Sequence, residues 1–222
     1  MKKELIAYTE PKSIVTESFK AIRTNLLFSA IDQKIKKILI TSANPMEGKS
    51  FTSINLAITF AQNDQKTLLV DCDLRKGRLH EAFQVENGEG LSNLLIEEKL
   101  ELKKYVKKSE IKNLDILSMG AIPPNPSELL GSNKFLEFLK QAEKEYDMVV
   151  FDSTPINKVS DALIIASKVD AVLLVTAHSK TKNTDLQHAI KSINNVGGKL
   201  TGIIINKKKI SKKAYYGKYY HY

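Results

Sequence analysis

Apolar positions along this chain follow two different periods. Short, nearly continuous apolar runs recur at 38–40, 67–70, 114–117, 146–152, 171–175 and 200–205. Runs of that length, rich in β-branched residues, read as buried strands. Between them the spacing is helical. In residues 12–31, Val15, Phe19, Ile22 and Leu26 step by four, three and four, giving one apolar face. Behind the first strand, Ile54, Ala57, Ile58 and Ala61 fall at i, i+3, i+4 and i+7. Further helices are expected from 126 to about 144, at 159–168 and at 183–195, the last stopped by Gly197 and Gly198. Asn125 suits an N-cap, Pro126 the first helical position, and Glu128 the return half of a capping box. Residues 77–112 read as mostly helical and charged, with a break at 87–90. Strands alternating with helices predict an α/β fold: a doubly wound, mostly parallel sheet with helices on both faces.

The chemistry concentrates at the ends of the strands. After the first strand, Ala43, Asn44, Pro45, Met46, Glu47, Gly48, Lys49 and Ser50 fit the phosphate-binding pattern [AG]-x-x-x-x-G-K-[ST]. A turn before an ordinary helix is the bland reading, but strand, loop and helix in this order favour a nucleotide site of P-loop NTPase type. Loop amides and the positive end of the following helix would hold phosphate. Gly48 lets the backbone approach the anion, Lys49 reaches the β- and γ-phosphates, and the Ser50 hydroxyl ligates Mg²⁺. The second strand ends in Asp71-Cys72-Asp73-Leu74-Arg75. Alone this is a charged loop; beside the first strand, both acids would approach Mg²⁺ and the γ-phosphate. The fourth strand ends in Asp152-Ser153-Thr154-Pro155, the shape of a Walker B end, whose carboxylate holds Mg²⁺ directly or through its water.

Composition adds a boundary near the C-terminus. The 222 residues are 42% hydrophobic and 27% charged, as in a soluble globular domain. No apolar run is long enough to span a bilayer, and the N-terminus lacks a signal peptide's apolar core. The single cysteine, Cys72, excludes an internal disulfide, suits a cytosolic location and reads as a small buried side chain. The net charge is +9, yet eight lysines follow Asp185 with no further acid, leaving +1 for residues 1–185. That basic end suits nucleic acid, an anionic membrane face or an acidic partner. Residues 207–222 contain little aliphatic material and five tyrosines, Tyr215, Tyr216, Tyr219, Tyr220 and Tyr222. They are expected to form a flexible tail after a domain of residues 1–206. Such a tail could stack on single-stranded nucleic acid or serve as the domain's own phosphate acceptor.

Taken together, the 43–50 loop, the Asp71–Arg75 segment, Asp152 to Pro155, the stretch at 123–132 and the terminal tyrosines resemble the bacterial tyrosine kinases called BY-kinases. The likeness runs from about Pro11 to the end and is nearest to the cytoplasmic CapB type of Gram-positive capsule synthesis. It implies a Mg-ATP-dependent protein-tyrosine kinase that phosphorylates its own tail and acts on proteins of polysaccharide synthesis. It also implies activation by the cytoplasmic tail of a CapA-type polysaccharide co-polymerase, which would recruit this cytoplasmic chain to the inner membrane face. Rings, commonly octamers, would form through an E-x-x-R-x-x-R motif in the N-terminal helix, matched here by Glu17, Lys20 and Arg23.

The resemblance also distributes roles. Lys49 and the loop through Phe51 would hold the phosphates. Ser50, Asp152 and one acid of the Asp71–Arg75 segment, the family's Walker A′, would hold Mg²⁺, Asp71 among the candidates. Asp71 or Asp73 would act as base, with Asp73 preferred because strand alternation points the two acids differently. Asn206 is an adenine contact by family likeness; a simple strand-ending Asn is the competing reading. Three positions depart from the pattern: Lys20 for arginine, which lacks the bidentate fork, Met46 for glycine, and Gly77 for proline. The competing function is an ATPase switch of the MinD/ParA class, but that class carries a signature lysine where this chain has Asn44. A nucleic-acid module built on the tail is the third reading, and nucleic acid is not the expected partner.

Overall fold

A computed structural model describes residues 4–29 and 35–209. Seven strands form one sheet in the order β3-β4-β2-β5-β1-β6-β7. They are β1 (Lys37–Ser42), β2 (Thr67–Asp71), β3 (Lys107–Lys108), β4 (Leu114–Leu117), β5 (Met148–Asp152), β6 (Ala171–Ala177) and β7 (Leu200–Asn206). All neighbours run parallel except β3 and β4, which pair antiparallel. The doubly wound, mostly parallel α/β fold expected from the sequence is therefore present. β3 is an addition: two polar residues that carry no apolar run.

Strands β2, β4, β5 and β6 are buried at every position. That explains their unbroken apolar runs, because both faces of a parallel sheet are covered. Alternation along each strand feeds two cores. Ile38, Ile40, Leu69, Met148, Val150 and Leu173 point to one face. There they meet helices α1 (Ile6–Thr9), α2 (Ile14–Ser29) and α3 (Lys49–Ala61). Leu39, Leu68, Val70, Val149, Phe151 and Val172 point to the other face. Helices α4 (Leu79–Phe83), α5 (Leu91–Ile96), α6 (Leu102–Tyr105), α7 (Pro126–Gly131), α8 (Asn133–Glu145), α9 (Asp161–Ala166) and α10 (Asn183–Asn195) complete the chain. Of these, α5 to α10 pack on the second face and α4 joins the first.

Three local expectations need correction. Residues 77–112 hold three short helices and β3 in place of mainly helical chain. The helix expected from 126 to about 144 is broken at Ser132, whose hydroxyl accepts the Phe135 amide at 3.3 Å and so caps α8. The capping box at Asn125 does not form; its amide group instead donates to Glu128 Oε2 at 3.1 Å. The N-terminus adds α1, which sequence periodicity did not mark. It is fastened by Asn55 of α3, whose side chain accepts the Ala7 amide and donates to the Glu4 carbonyl, each at 2.8 Å.

Strand order decides what meets at the carboxyl edge. The condition set for Asp71 and Asp73, that their strand lie beside β1, is not met: β5 lies between β2 and β1. In register, Ile40 stands beside Asp152, and Asp152 beside Asp71. The loop after β1, the end of β5 and the end of β2 thus share one edge.

On the second face, Phe138 is fully buried and meets Phe151 edge-on at 6.4 Å and Phe135 at 5.8 Å. Phe138→Ala should lower the unfolding free energy by about 3–5 kcal/mol in urea titrations, the range for emptying an aromatic site in a packed core.

Candidate active site

The loop after β1 turns sharply. Gly48 takes φ 98°, in the left-handed region, and a β-carbon there would lie 1.9 Å from Asn206 Nδ2. Glycine is therefore required both by the backbone and by its neighbour. Met46, in the position where the motif more often has glycine, takes φ 62° with its side chain 87% exposed. Immediately behind the loop, α3 begins at Lys49, so its free amides and dipole face the loop's interior.

Four charged groups meet beneath this loop. Lys49 Nζ lies 3.1 Å from Asp73 Oδ2 and 3.4 Å from Ser50 Oγ. Burial works against the ammonium, but Asp152, Asp73 and Asp71 outweigh it and raise its pKa. Asp152, buried at the end of β5, accepts the Ser53 hydroxyl at Oδ1, 3.0 Å away. Its Oδ2 is buried without a hydrogen-bond partner. Burial, opposed by Lys49, lifts its pKa. Asp71 is pushed to about 8 by burial and then by Asp152 across the strand pair. It accepts the Asp73 amide at 3.2 Å and the Leu79 amide at 3.1 Å.

The two Walker A′ acids point differently, but strand alternation is not the reason: residues two apart in a strand share a face, and β2 ends at Asp71, so Asp73 already lies in the turning loop. Asp73 faces Lys49, with its other oxygen accepting the Lys76 amide at 3.0 Å. Asp71 turns back into its own loop. It fits there because residue 77 is glycine: a β-carbon at Gly77 would stand 2.5 Å from both Asp71 oxygens. Asn206, at the end of β7, donates to the Glu47 carbonyl at 3.0 Å and accepts the Lys207 amide at 2.7 Å. Its nitrogen reaches the phosphate loop, while its oxygen is taken by the residue that follows it in the chain.

A metal fits this donor set. Among the described residues no group of three or more His, Cys, Asp or Glu is arranged to hold an ion unaided. Mg²⁺ commonly takes one or two protein oxygens and completes its shell with phosphate and water. The unpartnered Asp152 Oδ2 beside the Ser50–Lys49 pair supplies such an oxygen.

Comparison with known proteins gives this arrangement a family. The AAA domain profile matches residues 35–207. The tyrosine-protein kinase YwqD of Bacillus subtilis is 44% identical over 99% of this chain and 92% of its own length. The chain belongs to the bacterial tyrosine kinases. A putative tyrosine-protein kinase, CapB of Staphylococcus aureus, is 39% identical over 98% of this chain and 94% of its own. Among solved structures, the chimerical protein CapA2B2 superposes with a TM-score of 0.89 at 36% identity, covering 93% of this chain and 91% of that one. The P-loop nucleotide-binding fold is common to the family.

Other residues singled out in this bacterial tyrosine kinase fall at varied distances from the cluster. Pro45 lies in the loop, while the Phe51 ring turns away and stacks edge-on against Phe19 of α2 at 5.8 Å. Asn44 donates to Asp185 Oδ2 at 2.9 Å, an intramolecular use of the position that holds a lysine in the ATPase switches. On α2, Glu17 and Lys20 pair at 2.8 Å on the outer surface. Arg23 departs from them: its guanidinium turns inward to the Thr59 carbonyl of α3. Tyr215, Tyr216, Tyr219, Tyr220 and Tyr222 lie outside the described residues.

Sequence reasoning missed Asp161. It is fully buried at the start of α9 and grips Arg75 through two bonds, 2.8 Å to Nε and 3.2 Å to Nη2. Ser127 of α7 donates to the same carboxylate. This clamp pins the Walker A′ loop to two helices, and no local pattern around residue 161 announces it.

Gly48→Ala should weaken ATP binding at least about tenfold in a fluorescence titration while far-ultraviolet circular dichroism stays unchanged, because the added carbon must displace Asn206 or open the loop.

Proposed function

We propose that this chain is an ATP-dependent protein-tyrosine kinase that phosphorylates its own C-terminal tyrosines, chiefly between subunits, and regulates capsular or exopolysaccharide synthesis. The observation that carries this reading is the pairing of Lys49 with Asp73 beside the unpartnered oxygen of Asp152. It supports a reading in which a phosphate-binding cation, a base and a metal-binding carboxylate share one sheet edge.

Phosphoryl transfer needs positioning and charge stabilisation more than covalent chemistry from the protein. In the proposed mechanism, the 43–51 amides and Lys49 hold the β- and γ-phosphates of ATP. Ser50 and Asp152 hold Mg²⁺, with Asp71 close by in the same buried edge. The ion, when bound, neutralises charge on the β- and γ-oxygens. Once Lys49 turns to the phosphates, Asp73 Oδ2 is released to accept the proton of an incoming tyrosine hydroxyl. The tyrosine oxygen then bonds the γ-phosphorus as the bond to the β,γ-bridging oxygen breaks and ADP leaves. Asp71 is less suited to be the base, since its carboxylate accepts two amides of its own loop. Arg75, clamped by Asp161, keeps the loop that carries Asp73 in place.

The domain of residues 1–206 would present the tail, 207–222, to a neighbour. Sixteen extended residues reach at most about 55 Å, enough to pass between adjacent sites in a ring. Of the motif Glu17, Lys20 and Arg23, the outward pair Glu17 and Lys20 are the proposed ring contacts, in an octamer or another closed assembly, with Arg23 bracing α2 against α3 behind them. Each phosphotyrosine adds about −1.5 to −2 charge, so five would offset the tail's lysines and loosen its hold on an acidic cleft. The proposed activator is the cytoplasmic tail of a CapA-type co-polymerase, drawing a cytoplasmic kinase to the inner face of the membrane. Among the described residues no helix is long and apolar enough to cross a membrane. An ATPase switch of the MinD/ParA class is disfavoured by the use of Asn44 on Asp185.

Mass spectrometry of the tail after incubation with Mg-ATP, with and without a CapA-type cytoplasmic segment, tests this reading. Phosphate on the five terminal tyrosines, increased by the segment and absent in Lys49→Met, is the expected result. A tail that stays unmodified in a protein that still hydrolyses ATP would sink it in favour of the ATPase switch.

A further inference from the structure

The phosphate loop is held from its outer side as well as from the sheet. Thr181, in the turn after β6, accepts the Ala177 amide at 2.8 Å and donates its own proton to Glu47 Oε1. Glu47 is 4% exposed, and its other oxygen accepts the Asn44 amide at 2.9 Å. A buried carboxylate is costly unless its lone pairs are used, and Thr181 uses one of them. A second chain of bonds runs through the first turn of α10. Asp185 Oδ2 accepts Asn44 Nδ2 at 2.9 Å, and the Asp185 carbonyl accepts Asn157 Nδ2 at 3.0 Å. The Asn157 amide in turn donates to the Ala43 carbonyl at 3.2 Å. The result is a closed ring of hydrogen bonds: loop, α10, the turn after β5, and loop again.

Between Asn44 and Glu47, the two loop residues held in these ways, lies a segment that resists its own conformation. Met46 occupies the left-handed region without being glycine, a state that persists only where the surroundings over-determine it. The loop's amides are useful only if they converge on one point before the anion arrives, since ordering them at the moment of binding subtracts from affinity. We propose that Thr181 and Asp185 are positioning residues for the nucleotide phosphates, fixing the arc of residues 43–48 through Glu47 and Asn44. Neither residue belongs to the phosphate-binding motif. The inference rests on the nucleotide-binding part of the reading above and not on tyrosine as the acceptor.

The test uses the full chain, Mg²⁺ and the fluorescent nucleotide mant-ATP, with ATP turnover and melting temperature measured beside it. Thr181→Val keeps the side chain's shape and removes both bonds; Thr181→Ser keeps the hydroxyl. Asp185→Ala cuts the second chain of bonds, and Asp185→Asn retains an acceptor. Thr181→Val and Asp185→Ala should each raise the dissociation constant about tenfold, as expected for losing a hydrogen bond to a charged group. Turnover at saturating ATP should stay within about twofold, and Thr181→Ser and Asp185→Asn should bind nearly as the parent does. Unchanged affinity in Thr181→Val and Asp185→Ala would overturn the proposal. So would a Thr181→Ser protein as weak as Thr181→Val, or losses that fall on turnover and leave binding intact. If Thr181→Val does not fold, the Asp185 pair decides. A parent chain that binds mant-ATP yet leaves its tyrosines unmodified would count against the kinase reading alone, because the dissociation constants still judge the brace.

Discussion

Three carboxylates and one ammonium share a buried sheet edge, and the site depends on how that charge is balanced. Asp71, Asp73 and Asp152 are nearly or fully buried, and Lys49 is the cation among them. Burial first, and then neighbouring acids that one cation does not compensate, drive Asp71 up to about 8 and Asp152 upward. The edge is therefore short of positive charge in the form described. In the proposed mechanism a divalent cation would supply that charge, and the phosphates that accompany it would draw Lys49 away from Asp73. The same imbalance that would destabilise an ordinary core would, in that mechanism, favour a metal–nucleotide pair.

Holding such an edge requires a rigid support, which the doubly covered sheet provides. β1, β5 and β2 lie side by side, each buried on both faces, and their register sets Asp152 between the loop and Asp71. The surrounding loops are fixed by side chains from distant elements. Asp161 clamps Arg75, Asn206 shoulders Gly48, and Asn55 fastens α1 to α3. Each such bond joins parts of the chain that lie far apart in sequence, so the site is completed only when the fold is.

Membership of the bacterial tyrosine kinases places the chemistry, while the departures from the family pattern show where this chain differs. Gly77 leaves room for the Asp71 carboxylate to fold back into its loop. Met46 accepts a left-handed backbone that glycine would take without strain. Lys20 makes a simple ion pair with Glu17 on an exposed surface, where such pairs contribute little.

The fold class and the phosphate loop were legible in the sequence because both rest on local patterns. Buried parallel strands show as unbroken apolar runs, helices as a 3.6-residue repeat, and an anion-binding turn as Gly48-Lys49-Ser50 between the two. The acids at the strand ends were visible for the same reason. Periodicity does not encode strand order, so the insertion of β5 between β1 and β2 was not legible. Nor was the division of labour between Asp71 and Asp73, because it follows from β2 ending at Asp71 and from the turn of the loop after it. The short helices of residues 77–112 and the break at Ser132 escaped because capping and tertiary packing overrode the local repeat. Thr181, Asp185 and Asp161 carried no signal at all. Their partners, Glu47, Asn44 and Arg75, stand 134, 141 and 86 residues away in the chain. Local chemistry determines which side chains are available at an edge; only the packed sheet decides which of them meet, because hydrogen bonds form between neighbours in space.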